Sequence, residues 1–305
     1  MGINLFRKKA GSTMKKEAII DKKWGTADPV HDPRMLAHFQ TRSTDVLITT
    51  AAKAGTTWMQ QILHQLRSGG DAEFSSIDDV VPWLELPRVG KHWSDVLADY
   101  ENIPNPRIFK THCTYEQTPG VDKNDTNTPR IILTSRDPRD CCISFYHHKR
   151  DMTDEAKAHM GFTDLDNFDK FLDEWLRFEG WYRNVRSWWP HRNNDNVLWL
   201  RYEDLKKDLS AGIEQILNFL GWHITDEQRH SVIALCSFQW MKENALRFTR
   251  TGPAGETIFK PGGFIRKGQV GDGKATLTAE QEKRILDKAR ERLTPDCLAF
   301  FGIDS

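Results

Sequence analysis

The 305-residue sequence has no long hydrophobic run, no excess of charge of one sign and few cysteines. No apolar stretch approaches the roughly 20 residues that a membrane-spanning helix needs, so we predict no membrane span. Lysine plus arginine and aspartate plus glutamate both number 43, which leaves a formal net charge of zero. This balance argues against binding to nucleic acid or to a membrane surface through global charge. Any anion-binding site must therefore be local.

The cysteine pattern and the first residues bear on the cellular compartment. Five cysteines, an odd number, include no Cys-x-x-Cys pair, so we expect no disulfide framework and a reducing compartment. The opening segment MGINLFRKKAGSTMKK is basic but lacks the long apolar core of a signal peptide. We predict a cytoplasmic protein with a flexible basic arm at 1–20 and a single domain at 21–305.

Short β-branched and apolar runs alternate with segments of helical spacing. The predicted strands are 45–50, 107–111, 130–135 and 196–201. Helical segments follow the first, third and fourth strands, and the last of these runs without a break to Gly221. This alternation predicts an α/β fold, a single domain in which a central parallel sheet is flanked by helices.

Three further segments are predicted to lie outside the sheet. The polar stretch 114–129 has the composition of a surface loop. The Gly- and Pro-rich stretch 252–274 is predicted to be a mobile basic loop. The charged segment 278–292 is predicted to be a helix on the surface.

The stretch KAGTTW follows the first predicted strand and opens a helix. Small Ala54 and Gly55 allow the backbone to approach an anion closely, and the amides of a helix start point towards it. Thr56 and Thr57 add hydroxyl donors, and Lys53 adds a full charge. In a Walker A loop the lysine follows the second glycine, so the order K-A-G-T-T does not fit ordinary ATP hydrolysis. A strand-to-helix turn with an exposed lysine is the alternative interpretation.

A second candidate is RDPRD, with a serine two helical turns further on. Arg136 stands at the end of the third strand, and the helix that follows returns Ser144 to the same side. The planar guanidinium can bind two oxygens of a phosphate monoester. The alternative is a structural ion pair of Arg136 with Asp137 or Asp140.

Two more segments carry candidate side chains. In FKTHC, Lys110 and His112 share one face of a strand end, and histidine is the residue best suited to act as general base near neutral pH. In FIRKGQVGDGK, Arg266 and Lys267 stand beside Gly268, whose backbone can wrap an anion. A structural histidine and a solvated charged loop are the respective alternatives.

The strand ends bring these candidates together. Open α/β sheets bind ligands outside the carboxyl ends of their strands. Such ends carry Lys53, Lys110, His112 and Arg136. One phosphate does not require so many cations, so we expect a ligand with two or three separate anionic groups.

The same segments resemble the cytosolic sulfotransferases, which use 3′-phosphoadenosine 5′-phosphosulfate (PAPS). KAGTTW resembles their P-loop-like phosphosulfate-binding loop, RDPRDCCISFYHH their 3′-phosphate segment, FIRKGQVGDGK their late RKGxxGDWK loop and FKTH their catalytic strand end. The likeness spans about residues 40 to 290, with the motifs in family order. It implies PAPS as sulfonate donor and adenosine 3′,5′-bisphosphate (PAP) as product.

The resemblance also implies roles for individual residues. Those at the 5′ end and adenine side of the cofactor would be Lys53, Ala54, Gly55, Thr56, Thr57 and Trp58. Those at the 3′-phosphate would be Arg136, Ser144, Arg266, Lys267 and Gly268. Those around the adenine and phosphate would be Tyr202, Ser237 and Phe238. His112 would be the base that deprotonates the acceptor, and Lys110 and Lys53 would stabilise the transferring group.

The sequence leaves the acceptor and the oligomeric state open. Acceptor pockets in this family are built from variable loops, here 80–100, 146–162 and 240–260. The predicted lining comprises Trp83, Phe145, His148 and Trp240, and a small alcohol or phenol is the expected acceptor. The family's dimerisation motif KxxxTVxxxE is degraded at 274–283, so a monomer and a homodimer are both possible.

Two other functions compete with sulfonate transfer. An ATP-dependent phosphotransferase would need a different lysine position and a magnesium-binding aspartate, which is not recognisable. A non-catalytic nucleotide-binding protein would not require His112. No His/Cys cluster has metal-ligand spacing, so we expect no metal.

Overall fold

The four predicted strands pair side by side in one parallel sheet of order β2–β1–β3–β4. The strands are β1 (Val46–Ile48), β2 (Ile108–Lys110), β3 (Arg130–Ser135) and β4 (Val197–Arg201). The structure is a computed structural model, and it describes residues 19–121, 127–162, 165–250 and 257–304. Most of the predicted arm at 1–20 therefore lies outside the described residues. The predicted α/β class with a parallel sheet is confirmed.

Helices occupy most of the remaining chain, and a stretch of helical backbone at 19–24 precedes α1. They are α1 (Pro33–His38), α2 (Thr56–Ser68), α3 (Ile77–Val80), α4 (Trp93–Glu101), α5 (Pro138–Arg150), α6 (Asp154–His159), α7 (Phe168–Phe178), α8 (Gly180–Trp188), α9 (Tyr202–Lys207), α10 (Leu209–Leu220), α11 (Asp226–Leu235), α12 (Phe238–Glu243), α13 (Asp272–Thr276), α14 (Ala279–Arg292) and α15 (Pro295–Phe300). Short 3₁₀ helices lie at Trp189–His191 and Ala245–Phe248. No helix in the described ranges is long and apolar enough to cross a membrane.

The sheet is covered on both faces because side chains alternate along a strand. Val46 and Ile48 of β1 belong to the core cluster that α2 and α10 build on one face. Leu47, between them, belongs to the cluster on the opposite face together with Phe109 of β2. The continuous apolar runs of the sequence thus correspond to strands that are buried on both sides.

Two predicted helices differ in the structure. The segment predicted as one helix up to Gly221 is divided between α9 and α10, because the Asp208 carboxylate accepts a hydrogen bond from Ala211 N at 2.9 Å and caps a new helix start. The charged helix α14 was predicted to lie on the surface, and for one face this is wrong. Its Ile285 and Ala289 are fully buried in the cluster that contains Tyr182.

The loops are also only partly as predicted. In the stretch 114–129, predicted to be a surface loop, Thr118 and Val121 are buried. Within 252–274, predicted to be a mobile loop, the backbone from Asp272 to Thr276 forms α13. The described parts of both segments therefore pack against the domain. All five cysteines are buried thiols.

A buried ion pair ties together the amino ends of β1 and β2. Arg107 donates from Nε to Asp45 Oδ1 at 2.8 Å and from Nη2 to Asp45 Oδ2 at 2.7 Å. Both side chains are fully buried. The pair lies at the sheet edge opposite the carboxyl ends, where it aligns the two strands.

Replacing Asp45 by Asn tests how far this alignment depends on the pair. Arg107 keeps an ion pair with Glu101 at 2.9 Å, so we expect the Asp45→Asn variant to lose about 1.5–3 kcal/mol in urea unfolding, the contribution of hydrogen bonds to a charged group. The exposed Asp195 supplies the matched control, and Asp195→Asn should change the free energy of unfolding by no more than about 0.5 kcal/mol. Similar small changes in both variants would contradict the structural role of the pair.

Candidate active site

A cleft of about 440 Å³ opens at the carboxyl ends of the strands. Lys53 after β1, Lys110 and His112 at the end of β2, and Arg136 after β3 all line it. The parallel arrangement is the cause, because each strand delivers the residue that follows it to the same edge. The predicted convergence of these four side chains is confirmed.

The loop between β1 and α2 has the backbone of an anion-binding turn. Both Lys53 (φ 68°) and Gly55 (φ 101°) have positive φ, and α2 begins at the next residue. A Cβ on Gly55 would lie 2.9 Å from the Tyr202 ring, so only glycine fits there. The Thr56 hydroxyl is buried at the helix start without a hydrogen-bond partner in the described residues. The first amides of α2 and this hydroxyl suit an anion.

Lys53 is a half-buried cation in the neighbourhood of other cations. Burial, with the charges of Lys110 and Arg136, lowers the pKa of Lys53 to about 7. Its Nζ lies 3.0 Å from His148 Nδ1. A bound anion would remove part of this repulsion and restore the full charge of the lysine.

His112 is held in one tautomer by the backbone. Its Nδ1 lies 2.7 Å from the carbonyl oxygen of Thr50, and a carbonyl can only accept, so Nδ1 carries the proton. Burial, together with the charge of Lys110, lowers the pKa of His112 to about 4. At neutral pH the ring is therefore uncharged and Nε2 has a free lone pair.

Lys110 lies next to this histidine and shares a neighbour with it. Its Nζ lies 4.2 Å from the centre of the Trp83 ring, and the His112 ring packs edge-on against the same ring at 5.2 Å. Burial lowers the pKa of Lys110 to about 8. Trp83 thus fixes the position of the lysine relative to the histidine.

Arg136, which follows β3, carries a buried guanidinium. Its Nη2 donates to Asp140 Oδ2 at 3.2 Å and to the carbonyl of Gln269 at 2.6 Å, while its Nε is buried with no partner in the part of the chain that the structure describes. The structural pair with Asp140 that the sequence left open is present. The guanidinium nevertheless lines the cleft, 4.6 Å over the Tyr202 ring, with an unused donor.

The loop 266–273 docks on α5 through the same aspartate. Asp140 accepts from Gly271 N at 2.9 Å and from Gly273 N at 2.7 Å. Arg266 and Lys267 both pair with Asp272, and the Lys267 contact measures 2.8 Å. The two cations are therefore held at the cleft by a carboxylate of their own loop.

Most of the residues implied by the family resemblance line the cleft. They are Lys53, Gly55, Thr56, Thr57, Trp58, Trp83, Lys110, His112, Arg136, Ser144, Phe145, His148, Tyr202, Phe238, Arg266, Lys267 and Gly268. Gly268 has a positive φ of 57°, and a Cβ there would lie 2.5 Å from the Phe238 ring. The 3′-phosphate segment and the late loop are thus brought to the same cleft as the loop after β1.

Three predicted residues lie outside the cleft lining. The side chain of Ala54 is fully buried in a core cluster. The Ser237 hydroxyl accepts from the backbone amide of Trp240 at 3.1 Å and caps α12. The Trp240 ring, predicted to line the acceptor pocket, packs instead against Phe74 and Phe248 at 6.4 and 6.2 Å. For Trp240 the prediction is wrong, because the helix directs the ring into this small core.

The structure adds lining residues that the sequence did not single out. One end of the cleft is apolar, with Met152, Met160, Phe162, Phe259 and Phe264. All but the last come from two of the predicted variable loops, but no local signal marked these particular side chains. Arg250 also lines the cleft, and its only signal was its position just before a basic loop. Among the described residues no group of three or more His, Cys, Asp or Glu side chains could hold a metal ion.

Comparisons with known proteins give the family. The family model described as "Sulfotransferase domain" matches residues 43–295. The rabbit (Oryctolagus cuniculus) "Amine sulfotransferase" is 35% identical over 260 residues, which cover 82% of this chain and 81% of the rabbit protein. The mouse (Mus musculus) "Sulfotransferase 1 family member D1" is 33% identical, with 86% of this chain and 88% of the mouse protein covered.

Solved structures show the same fold. Mouse sulfotransferase SULT7A1 complexed with PAP superposes with a TM-score of 0.67 at 24% identity, covering 88% of this chain and 92% of that one. Retinol dehydratase in complex with androsterone and PAP gives a TM-score of 0.68 at 23% identity, covering 85% and 83%. The chain belongs to the sulfotransferase family. The predicted family, fold class and enzyme class are confirmed.

The protonation state of His112 can be measured directly. We expect a neutral ring with the proton on Nδ1 at pH 7, which takes up a proton only near pH 4. Long-range ¹H–¹⁵N NMR of histidine-labelled protein reports both properties, and the His112→Asn variant assigns the signal. Because the unfolded chain protonates this ring near pH 6.5, its contribution to stability is fully present above that pH and is lost as the pH falls towards 4. A ring protonated on Nε2 at pH 7 would contradict the geometry.

Proposed function

We propose that this protein transfers the sulfonate group of PAPS to a hydroxyl group of a small-molecule acceptor, with His112 as general base. The observation that carries the proposal is the orientation of His112. Its Nδ1 is committed to the Thr50 carbonyl, which leaves an unprotonated Nε2 in the same cleft as two lysines and two separate anion-ready loops.

The cleft offers polar groups that fit PAPS. The Thr56 hydroxyl and the Arg136 Nε are buried donors without partners in the described ranges, at the loop after β1 and at the start of α5. Gly55 and Gly268 stand where a Cβ would collide with the rings of Tyr202 and Phe238, so both rings pack directly against the backbone of these loops. The PAP complex of the mouse structure supports this assignment.

The residues that would hold the cofactor follow the two loops. The 5′ side would contact Lys53, Gly55, Thr56, Thr57 and Trp58. The 3′-phosphate would contact Arg136, Ser144, Arg266, Lys267 and Gly268. Tyr202 and Phe238, whose rings line the cleft between the loops, would pack against the adenine side. For Ala54 and Ser237 the structure supports only a packing and a capping contact.

The bound donor supplies an activated sulfonate on a phosphate leaving group. His112 Nε2 accepts the proton of the acceptor hydroxyl, and a positioned base of this kind contributes about 10²- to 10⁴-fold in rate. Lys53 and Lys110 stabilise the negative charge that develops at the transferring group, where one such contact contributes about 3–4 kcal/mol. Burial and neighbouring cations lower the pKa of both lysines, and an anion in the cleft would raise it again because a nearby opposite charge favours the ammonium form.

Acceptor type and cellular compartment complete the proposal. The apolar end of the cleft favours an alcohol or phenol with a hydrophobic body, bordered by Trp83, Phe145 and His148. We place the reaction in the cytoplasm, in keeping with five buried thiols. The alternatives from the sequence, an ATP-dependent kinase and a non-catalytic nucleotide-binding protein, find no support in the family match.

Replacing His112 by Ala separates catalysis from binding. We expect turnover of PAPS to PAP, measured chromatographically with a panel of alcohols, phenols and amines, to fall by about 10²- to 10⁴-fold. The affinity for PAP, measured by calorimetry without metal, should stay nearly the same, because His112 is assigned to the acceptor and not to either phosphate of the cofactor. A parallel loss of PAP affinity would mean that the histidine is structural. Wild-type protein that formed no PAP with any acceptor would overturn the proposed function.

Asp140→Asn tests the assignment of the 3′-phosphate site. The carboxylate joins Arg136 to the two glycine amides of the late loop, and an Asn side chain replaces one acceptor by a donor. We expect the affinity for PAP to fall about tenfold or more, with little change for ADP, which has no 3′-phosphate. Calorimetric titration of both ligands measures the difference. Equal losses for PAP and ADP would place the 3′-phosphate elsewhere.

A further inference from the structure

Arg250 brings a further cation into the acceptor end of the cleft. It follows the 3₁₀ helix Ala245–Phe248 and lines the cleft together with the apolar side chains of Ile77, Met241 and Phe248. Its guanidinium lies 5.1 Å from the centre of the Trp83 ring. The same ring packs against His112 at 5.2 Å. The guanidinium and the imidazole are therefore close neighbours across the cleft, since both contact one ring.

The guanidinium has no direct partner within the described ranges. Arg136 is bonded to Asp140 and Arg266 to Asp272, but neither a hydrogen bond nor an ion pair joins Arg250 to a described side chain. Five donors in a largely apolar surrounding carry a desolvation cost that a bound anion would remove. Burial accordingly lowers the pKa of Arg250.

The carboxylate with a through-space influence on this group is Asp78. It acts on Arg250 and also on Lys110, and it lines the cleft. Glu85 also acts on Lys110, but burial raises the pKa of Glu85 and favours its neutral form, so the positive charge of the two cations is only partly offset at the acceptor end. An acceptor with an ammonium group would add to this charge, whereas an acceptor with a carboxylate would offset it.

The proposed donor accounts for the other cations, because Lys206, which also lines the cleft, lies 5.9 Å from the Trp58 ring and 5.6 Å from the Phe238 ring on the adenine side. The 5′ and 3′ groups of the donor occupy Lys53, Arg136, Arg266 and Lys267, and Lys110 acts on the transferring group. Arg250 is left over, and it stands among the residues assigned to the acceptor. A planar guanidinium suits a carboxylate because the two can form paired hydrogen bonds.

From this arrangement we infer that Arg250 is a specificity-determining residue that binds a carboxylate of the acceptor. The acceptor class is then a hydroxy acid, in which an apolar body of about the width of Trp83 separates the reacting hydroxyl from the carboxylate. A phenol with a short carboxylate side chain has this form. The inference rests on the proposed function, because it takes the hydroxyl to lie at His112 Nε2.

Three matched phenols test the inference on the full-length protein. They are 3-(4-hydroxyphenyl)propanoate, 4-propylphenol and tyramine, which carry an anionic, a neutral and a cationic side chain on the same ring. With PAPS as donor, PAP formation gives kcat/KM for each. We expect the wild-type protein to prefer the propanoate over propylphenol by about tenfold or more, with tyramine the poorest of the three.

Substitution of Arg250 assigns this preference to the guanidinium. In Arg250→Gln the propanoate-to-propylphenol ratio should fall towards unity through a higher KM for the propanoate, and Arg250→Lys should retain part of the ratio. Arg186→Gln, a change at an exposed arginine outside the cleft, is the matched control and should keep the wild-type ratio. Thermal unfolding of each variant checks that the fold is intact.

Several results would overturn the inference. An equal loss for all three phenols in Arg250→Gln would place the guanidinium on the donor or in the fold, and a wild-type preference for tyramine would assign specificity to Asp78. Turnover of propylphenol or of other neutral acceptors with no preference for the propanoate would also exclude a carboxylate site. Failure of the proposed function is distinguishable, because it would appear as absence of PAP binding and of PAP formation with every acceptor.

Discussion

The desolvation of several neighbouring cations is the constraint on which the architecture of the cleft depends. Desolvation, with the charges of neighbouring cations, lowers the pKa of the half-buried Lys53 to about 7 and that of the half-buried Lys110 to about 8. The fold maintains the arrangement through carboxylates placed behind the cations. Asp140 holds Arg136 and the late loop, and Asp272 holds Arg266. These carboxylates hold the cations in place, and the cations still face the cleft.

A parallel sheet makes such a concentration of charge possible. Each strand ends at the same edge, so residues that are distant in sequence meet there. The opposite edge is closed by the buried pair of Asp45 and Arg107, where the charges satisfy each other. Charge therefore has two roles in this domain. The Asp45–Arg107 pair aligns two strands, and the cations of the cleft, whose charge is not fully compensated, select ligands.

The strands and the residues at their ends could be predicted from the sequence, because β-branched runs and helix-start signals are local. Side chains whose direction depends on packing between distant elements could not. Trp240 has the size and apolar character of a pocket residue, yet α12 directs its ring against Phe74. Arg250 looked like one more charge before a basic loop, and only the fold brings it against Trp83. The buried face of α14 at Ile285 could not be predicted for the same reason, because the sequence of this helix is mostly charged.

The pKa of Lys53 has a consequence for the energetics of ligand entry. Near pH 7 a substantial fraction of this side chain is deprotonated in the free protein, whereas an anion beside it favours the ammonium form. Entry of a polyanionic nucleotide is then coupled to proton uptake from the solvent. The observed heat would change with the ionisation enthalpy of the buffer, and affinity would decline as the solution becomes more alkaline. The affinity of the protein for the nucleotide thereby depends on proton activity through one lysine of the loop after β1.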